Sequence, residues 1–407
     1  MRSTSKTAFG ILLSICACHA INDMLQSILA AIYPLLKEDL HLSFAQIGVA
    51  TLTYQLTASM LQPLVGLYAD RRPAPFSLPG GTFFTMAGLV LLSTAHTYGA
   101  LLVGASVLGV GSSIFHPESS RVARMAAGGR PGLAQSLFQV GGNIGGALGP
   151  LGAAIVVARW GRNSLAAFAL VALVSTAILT RVGLWYKHHG LAALRAGSSP
   201  RGGTRRSGAD LSQAQVAGSM AILLVLVFSK FAYMASFTNY FTFYLMHRFG
   251  IGVEAAQLHL VVFFTAIAVG TFCGGPLGDR FGRKWVIWFS ILGVLPFTLI
   301  LPYVNLFWTG VLSAVIGFIL ASAFPAIVVY GQELMPGRVG MVSGLFFGLS
   351  FGAAGAGAAL LGVLADATSI EEVYRVCAFF PAMGLLGGLL PHLGESAAPH
   401  AAAAPAR

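Results

Sequence analysis

Gly275-Pro276-Leu277-Gly278-Asp279-Arg280-Phe281-Gly282-Arg283-Lys284 stands between two long apolar runs, and a weaker twin, Gly66-Leu67-Tyr68-Ala69-Asp70-Arg71-Arg72, stands between two others. Acidic, basic and glycine residues wedged between hydrophobic segments make a hairpin at the cytoplasmic surface of a membrane, where the charges stay at the headgroups and the flanking runs enter lipid. Two such hairpins in one chain point to a duplicated polytopic bundle.

Of the 407 residues, 56% are apolar and only 9% charged. With a mean hydropathy of +0.78, no water-soluble fold of this size would tolerate that balance on its surface. Apolar runs of roughly 18 or more residues recur along the whole chain, about twelve in number. They cover 8–34, 44–68, 76–95, 98–118, 132–157, 163–186, 216–246, 256–276, 284–302, 306–330, 339–365 and 372–391. The fold class is an all-α membrane protein.

The net charge of +11 invites a nucleic-acid partner, but its distribution excludes one. With the N-terminus in the cytoplasm, the opposite face keeps only Lys37, Arg159, Arg162, Arg248 and Arg375, and Lys230 falls inside a helix. All other Lys and Arg lie on the cytoplasmic side, as the positive-inside rule requires, and both termini are expected there. Arg2 and Lys6 precede an apolar stretch too long for a signal peptide, so that stretch reads as the first span. Cys16, Cys18, Cys273 and Cys377 fall inside spans without metal-ligand spacing, so neither a disulfide framework nor a metal cofactor is implied.

Residues 187–215 form a polar, basic interruption, rich in Arg, His, Ser and Gly. It separates an N-terminal half, 1–186, from a C-terminal half, 216–392, leaving 393–407 as a disordered cytoplasmic tail. Landmarks recur between the halves at a nearly constant offset: Gly66 with Gly275, Asp70 with Asp279, Pro117 with Pro325, Leu137 with Leu345, and Tyr33 with Tyr244. Two pseudo-symmetric six-helix halves with a binding cavity between them is the economical architecture.

Ionisable groups inside spans mark function, because each costs roughly 2.5–3.5 kcal/mol at a helix centre. His19 and Asp23 are four residues apart, hence on one helical face, and Asn22 and Gln26 extend the polar stripe. They read as a protonatable cluster, or else as a polar pair satisfied against a neighbouring helix. Lys230 takes the repeat position of His19, and a buried ammonium there needs an anionic substrate or a permanent partner such as Asp23. Phe115-His116-Pro117-Glu118-Ser119-Ser120-Arg121 ends the fourth span, with Pro117 expected to bend it. His116 and Glu118 join Asp23 and His19 as proton-coupling candidates, although Glu118 and Arg121, one turn apart, also suit a structural salt bridge. Substrate contacts are expected from Lys230, Arg121, Tyr233, Gln139, Asn143 and Gln55. No metal site is expected, His-Pro-Glu matching no metal motif. In the hairpins, Asp70, Arg71, Gly275, Asp279, Arg280, Gly282, Arg283 and Lys284 are expected to form a conformational latch, Asp279 accepting from a helix N-terminus. Pro73 and Pro75 erode the first copy, so the two latches should be unequal.

The Gly-Asp-Arg hairpin resembles the loop signature of the major facilitator superfamily. Gly145-Gly146-Ala147-Leu148-Gly149-Pro150-Leu151-Gly152 resembles the fifth-helix signature of its drug-proton antiporters, with Gly145, Gly149, Pro150 and Gly152 as hinge or seal. Asn22-Asp23-Met24, Tyr33-Pro34-Leu35-Leu36, the Phe115–Met125 stretch and Phe228-Ser229-Lys230 narrow the resemblance to the fosmidomycin-resistance branch, over residues 8–392. The resemblance implies a monomeric, multi-pass exporter in a bacterial inner membrane that moves a phosphonate drug out against protons, without cofactor. Uptake or exchange of a small metabolite, and a membrane sensor without transport, are the alternatives. Where many proton-coupled members carry arginine, this chain has Ala105, so His116, Glu118, Arg121 or Lys230 must substitute in the proton step.

Overall fold

The structure, a computed structural model, describes residues 7–42, 44–190 and 211–393. Most of the expected linker and nearly all of the expected tail lie outside the described residues. Among the described residues, twelve helical elements, some of them broken, cross the bundle. In the first half these are α1 (Phe9–Ala31), α2 (Phe44–Met60 continued by Gln62–Arg71), α3 (Ser77–Ser93), α4 (Tyr98–Ala126), α5 (Pro131–Gly152) and α6 (Phe168–Trp185). In the second they are α7 (Gln213–Phe249), α8 (Val253–Phe281), α9 (Arg283–Leu292), α10 (Leu306–Ala321 continued by Ala323–Leu334), α11 (Val339–Ala367) and α12 (Ile370–Cys377, followed by a 3-10 stretch Phe380–Leu389).

Local chemistry starts and stops these helices. Ser212 and Gln215 form a reciprocal capping box at the start of α7, and Gly250, in the left-handed region at φ 66°, ends it. Thr97, Asn305 and Ser369 cap α4, α10 and α12 with their side-chain oxygens. Several expected runs are broken, and Pro34, Pro63, Pro296, Pro325 and Pro381 each lie in the first turn of the segment after the break. A ring without an N–H leaves an upstream carbonyl unpaired, which lipid tolerates only where a neighbouring helix covers it. Pro117, by contrast, lies inside the continuous helix α4.

Large apolar side chains such as Leu13, Phe83, Leu170, Phe264 and Leu360 face outward, as a lipid-facing wall requires. The interior packs as three clusters. One mixes both halves, joining Leu12, Phe115 and Phe138 to Leu226, Phe324 and Phe347. The other two are confined to one half each, around Leu25, Leu36 and Leu108 in the first and around Phe237, Phe263 and Tyr374 in the second. The halves are therefore joined at one end, the end of the two charged hairpins, and packed separately at the other.

Candidate functional site

The glycines of α5 bring it against α1. A Cβ on Gly141 or Gly145 would run into the backbone carbonyl of Cys16 or Ala20, so only glycine permits this approach. The contact holds His19 rigidly: its Nδ1 donates to the Phe138 carbonyl at 2.6 Å, and its ring stacks on Phe138 at 4.0 Å between centroids. From α4, His116 donates its Nδ1 to the Ser112 carbonyl at 3.0 Å. Both imidazoles then turn Nε2 toward one carboxylate. His19 Nε2 lies 3.2 Å from Asp23 Oδ2, and His116 Nε2 lies 3.4 Å from Asp23 Oδ1. Asn22 Nδ2 also donates to Oδ1, at 3.0 Å. The histidine side chains are sealed, whereas Asp23 keeps 18% of its side chain exposed. Beside them Gln26 Oε1 accepts from Tyr54 at 2.7 Å and from Ser112 at 3.0 Å.

Lys230 belongs to the other half and is 3% exposed. Its Nζ sits 4.8 Å from the Phe231 ring centroid and 5.1 Å from that of Phe324, and among the described residues no carboxylate pairs with it. Phe347 of α11 touches Phe324 on one side and His116 and Phe138 on the other, so aromatic rings separate the lysine from the triad.

At the joined end, Asp279 accepts from the backbone N–H groups of Gly132 and Leu133 at the start of α5, both at 3.0 Å. Asp70 accepts from Gly340 and Met341 at the start of α11, both at 2.9 Å. Each carboxylate thus caps a helix of the opposite half, where the dipole favours negative charge. Arg283 bonds Asp279 at 3.1 Å and Glu333 at 3.0 Å. Asp70 is served by Arg121, whose Nε lies 3.9 Å away, while Arg71 is exposed. Gly282 needs its φ of 92°, Arg280 is exposed, and Lys284 donates to the Gly388 carbonyl at 2.9 Å.

A family model for the Major Facilitator Superfamily matches residues 15–258 and 222–406. The chain belongs to the major facilitator superfamily. It is 56% identical over 387 residues to the fosmidomycin resistance protein of Escherichia coli (strain K12), covering 95% of this chain and 94% of that protein. It is 39% identical over 388 residues to an uncharacterized MFS-type transporter, YfnC, of Bacillus subtilis (strain 168), covering 95% and 93%. The fucose:proton symporter FucP of E. coli and the proton:xylose symporter XylE, each 15% identical, superpose with TM-scores of 0.72 and 0.70. They cover 96% of this chain and 100% and 97% of their own, and share its fold.

In this multi-pass transporter the expected site residues separate into groups. His19, Asp23 and His116 come together, and their three donor atoms lie within 4.8 Å of one another, the spacing of a site for a small cation. His116 reaches this cluster from a second helix, α4, a meeting that the spacing of His19 and Asp23 on α1 does not encode. Glu118 and Arg121 do not join them. Glu118 accepts from Ser77 at 3.0 Å and lies 3.5 Å from Arg121, whose NH1 donates to the Ala69 carbonyl, so both are used in the hairpin network around Asp70. Tyr233 is buried in the apolar core of the second half, Gln55 and Gln139 are half-buried, and Asn143 reaches across to Thr271 at 3.3 Å. Pro150 stays within α5, Gly149 packs on Ser27 and Met24, and Gly152 on Phe168.

A buried network that sequence reasoning passed over joins the halves near the hairpins. Ser120 Oγ bonds Gln135 at 2.9 Å and Ser343 at 3.0 Å, and Gln332 donates to Ser343 at 2.9 Å. Gln135 and Ser343 stand at the same repeat offset as Leu137 and Leu345, the one signal that could have found them. A test of the site's rigidity comes from Gly142, where a Cβ would meet His19 Cε1 at 2.6 Å and Asp23 Oδ2 at 2.8 Å. Gly142→Val is expected to abolish transport while a detergent-solubilised sample stays monodisperse, since the intrusion displaces ring and carboxylate; wild-type transport would refute the packing argument.

Proposed function

We propose that the transporter exports a small anionic or amphiphilic drug, with fosmidomycin as the first candidate, by proton antiport through alternating access. The observation that carries this reading is a buried lysine, Lys230, with no carboxylate partner among the described residues, in the half opposite the one that holds the His19, Asp23 and His116 cluster. An uncompensated buried charge is costly unless a ligand completes it, and a phosphonate supplies the missing anion. The name of the relative in E. coli supports the choice of drug. The protein acts as a monomer in a bacterial inner membrane, with both termini and the two hairpins cytoplasmic. Asp70 and Asp279, with Arg283 and Arg121, latch the cytoplasmic side. Protons enter from outside at His19, Asp23 and His116. Because the lysine and the triad belong to different halves, drug and proton communicate by movement of the halves and not by sharing one charge.

In everted vesicles with an acidified lumen, fosmidomycin is expected to accelerate proton release and to be taken up. Uptake that persists unchanged after the gradient is collapsed would refute antiport, and transport only in the opposite direction would favour uptake or exchange of a metabolite. Lys230→Gln is expected to lower the drug concentration that inhibits growth by about tenfold, the scale of the 1.5–3 kcal/mol of a hydrogen bond to a charged group. Unchanged resistance at equal expression would remove Lys230 from the substrate site.

A further inference from the structure

Carbonyl oxygens only accept hydrogen bonds, so the contacts to Phe138 and Ser112 require a hydrogen on Nδ1 of both histidines. The neutral imidazoles then present bare Nε2 lone pairs. These nitrogens are buried and have no hydrogen-bond partner, although each lies 3.2–3.4 Å from an oxygen of Asp23. Lone pairs facing a carboxylate repel, and the arrangement becomes attractive only when a proton lies between nitrogen and oxygen. An imidazole nitrogen is by its ordinary affinity a better proton acceptor than a carboxylate. Asp23 accepts besides from Asn22 at 3.0 Å and keeps 18% of its side chain exposed, so its oxygens are reachable from outside the sealed imidazoles.

We infer that the coupling protons reside on Nε2 of His19 and His116, with Asp23 remaining ionised as their shared counter-charge. The inference rests on the proton-coupled reading above and assigns its carrier. A proton from the external solution reaches the exposed edge of Asp23 and bonds to an Nε2 lone pair, giving an imidazolium paired with an unchanged carboxylate. The second nitrogen can take a second proton against the other oxygen. The remaining groups facing the triad fit this assignment: Tyr54 of α2 is turned to Gln26, α5 offers a carbonyl and Gly142, and α11 offers Phe347 and Phe351. His116 packs on both of those rings at 5.4 and 5.5 Å, so its change of charge falls on the contact between halves.

The test is pH-difference infrared spectroscopy on the full-length protein in lipid nanodiscs. Acidification is expected to produce imidazolium bands from all ten histidines, and the difference between wild type and variant is expected to show the contribution of one ring in His19→Asn and in His116→Asn and of two in the double variant. Asparagine keeps a donor for the backbone carbonyl at the place of Nδ1, so these variants preserve the local fold. A carboxylic-acid C=O band that appears on acidification and vanishes in Asp23→Asn would overturn the inference. So would a stoichiometric transition metal found by elemental analysis of protein purified without chelator, because the two lone pairs would then serve as ligands. Histidine titration without drug-dependent proton movement in vesicles would instead refute the antiport reading and leave the assignment of the proton-binding atoms standing.

Discussion

Asp23→Asn is expected to lower gradient-driven export by more than about a hundredfold, the scale of roughly 3–5 kcal/mol lost when one member of a buried charge pair is removed. The substitution keeps the volume of the side chain, so the tight contact of α1 with α5 survives. An amide also supplies an N–H that satisfies one bare Nε2 without any proton from solvent. The triad is then content when empty, and the reason to bind a proton disappears. Drug binding at Lys230, in the other half and behind Phe324 and Phe347, should change little. Substrate-induced proton release in everted vesicles, read beside drug binding to the purified protein, separates the two effects. Normal coupling in the variant would remove Asp23 from the proton path.

Gly132→Leu and Gly340→Leu should each hold the hairpin end open. Gly132 lies against the Gly275 carbonyl and Gly340 against the backbone of Gly66, pairs that exchange under the internal repeat. A side chain at either position meets opposing backbone, which cannot rotate away as a flexible side chain would. Forced overpacking costs about 1–3 kcal/mol, enough to shift the balance of open and shut forms by roughly 5- to 150-fold. The expected readout is faster alkylation of a cysteine placed at Gln135 or Ser343, together with loss of transport. Slow alkylation and wild-type transport would show that the halves do not need this approach in order to close.

The architecture was legible because its signals are one-dimensional: apolar length, the repeat offset and the side on which Lys and Arg collect. His19 and Asp23 were visible as a pair on one helical face, and Lys230 stood out as a lone charge at the matching repeat position. The arrival of His116 beside Asp23 depends on how α4 crosses α1, which no local spacing encodes. Glu118 and Arg121 stand apart from the triad, as the alternative of a salt bridge between them allows. A charge near the end of a span looks the same in sequence whether it faces a cavity or a hairpin, and here the hairpin claims both. Arg71 is exposed, and the arginine beside Asp70 is Arg121, more remote in sequence. The twin latch was expected to be weakened by Pro73 and Pro75. Yet Asp70 makes the same two backbone contacts as Asp279, because capping a helix needs only the carboxylate. The bonding of Ser120, Gln135, Gln332 and Ser343 to one another was not legible, because neutral polar side chains are cheap in a helix and carry no charge to flag a shared network.

The apolar cluster shared by both halves has a bearing on idling. To turn toward the other side, the protein must part Phe324 and Phe347 from Phe115 and Phe138 and wet them, a cost that grows with every Å² of exposed ring. Nothing repays that cost in an unloaded molecule, so an empty carrier stays closed at its charged end. Under the proposed antiport, such a carrier wastes little of the gradient, because between drug molecules it waits.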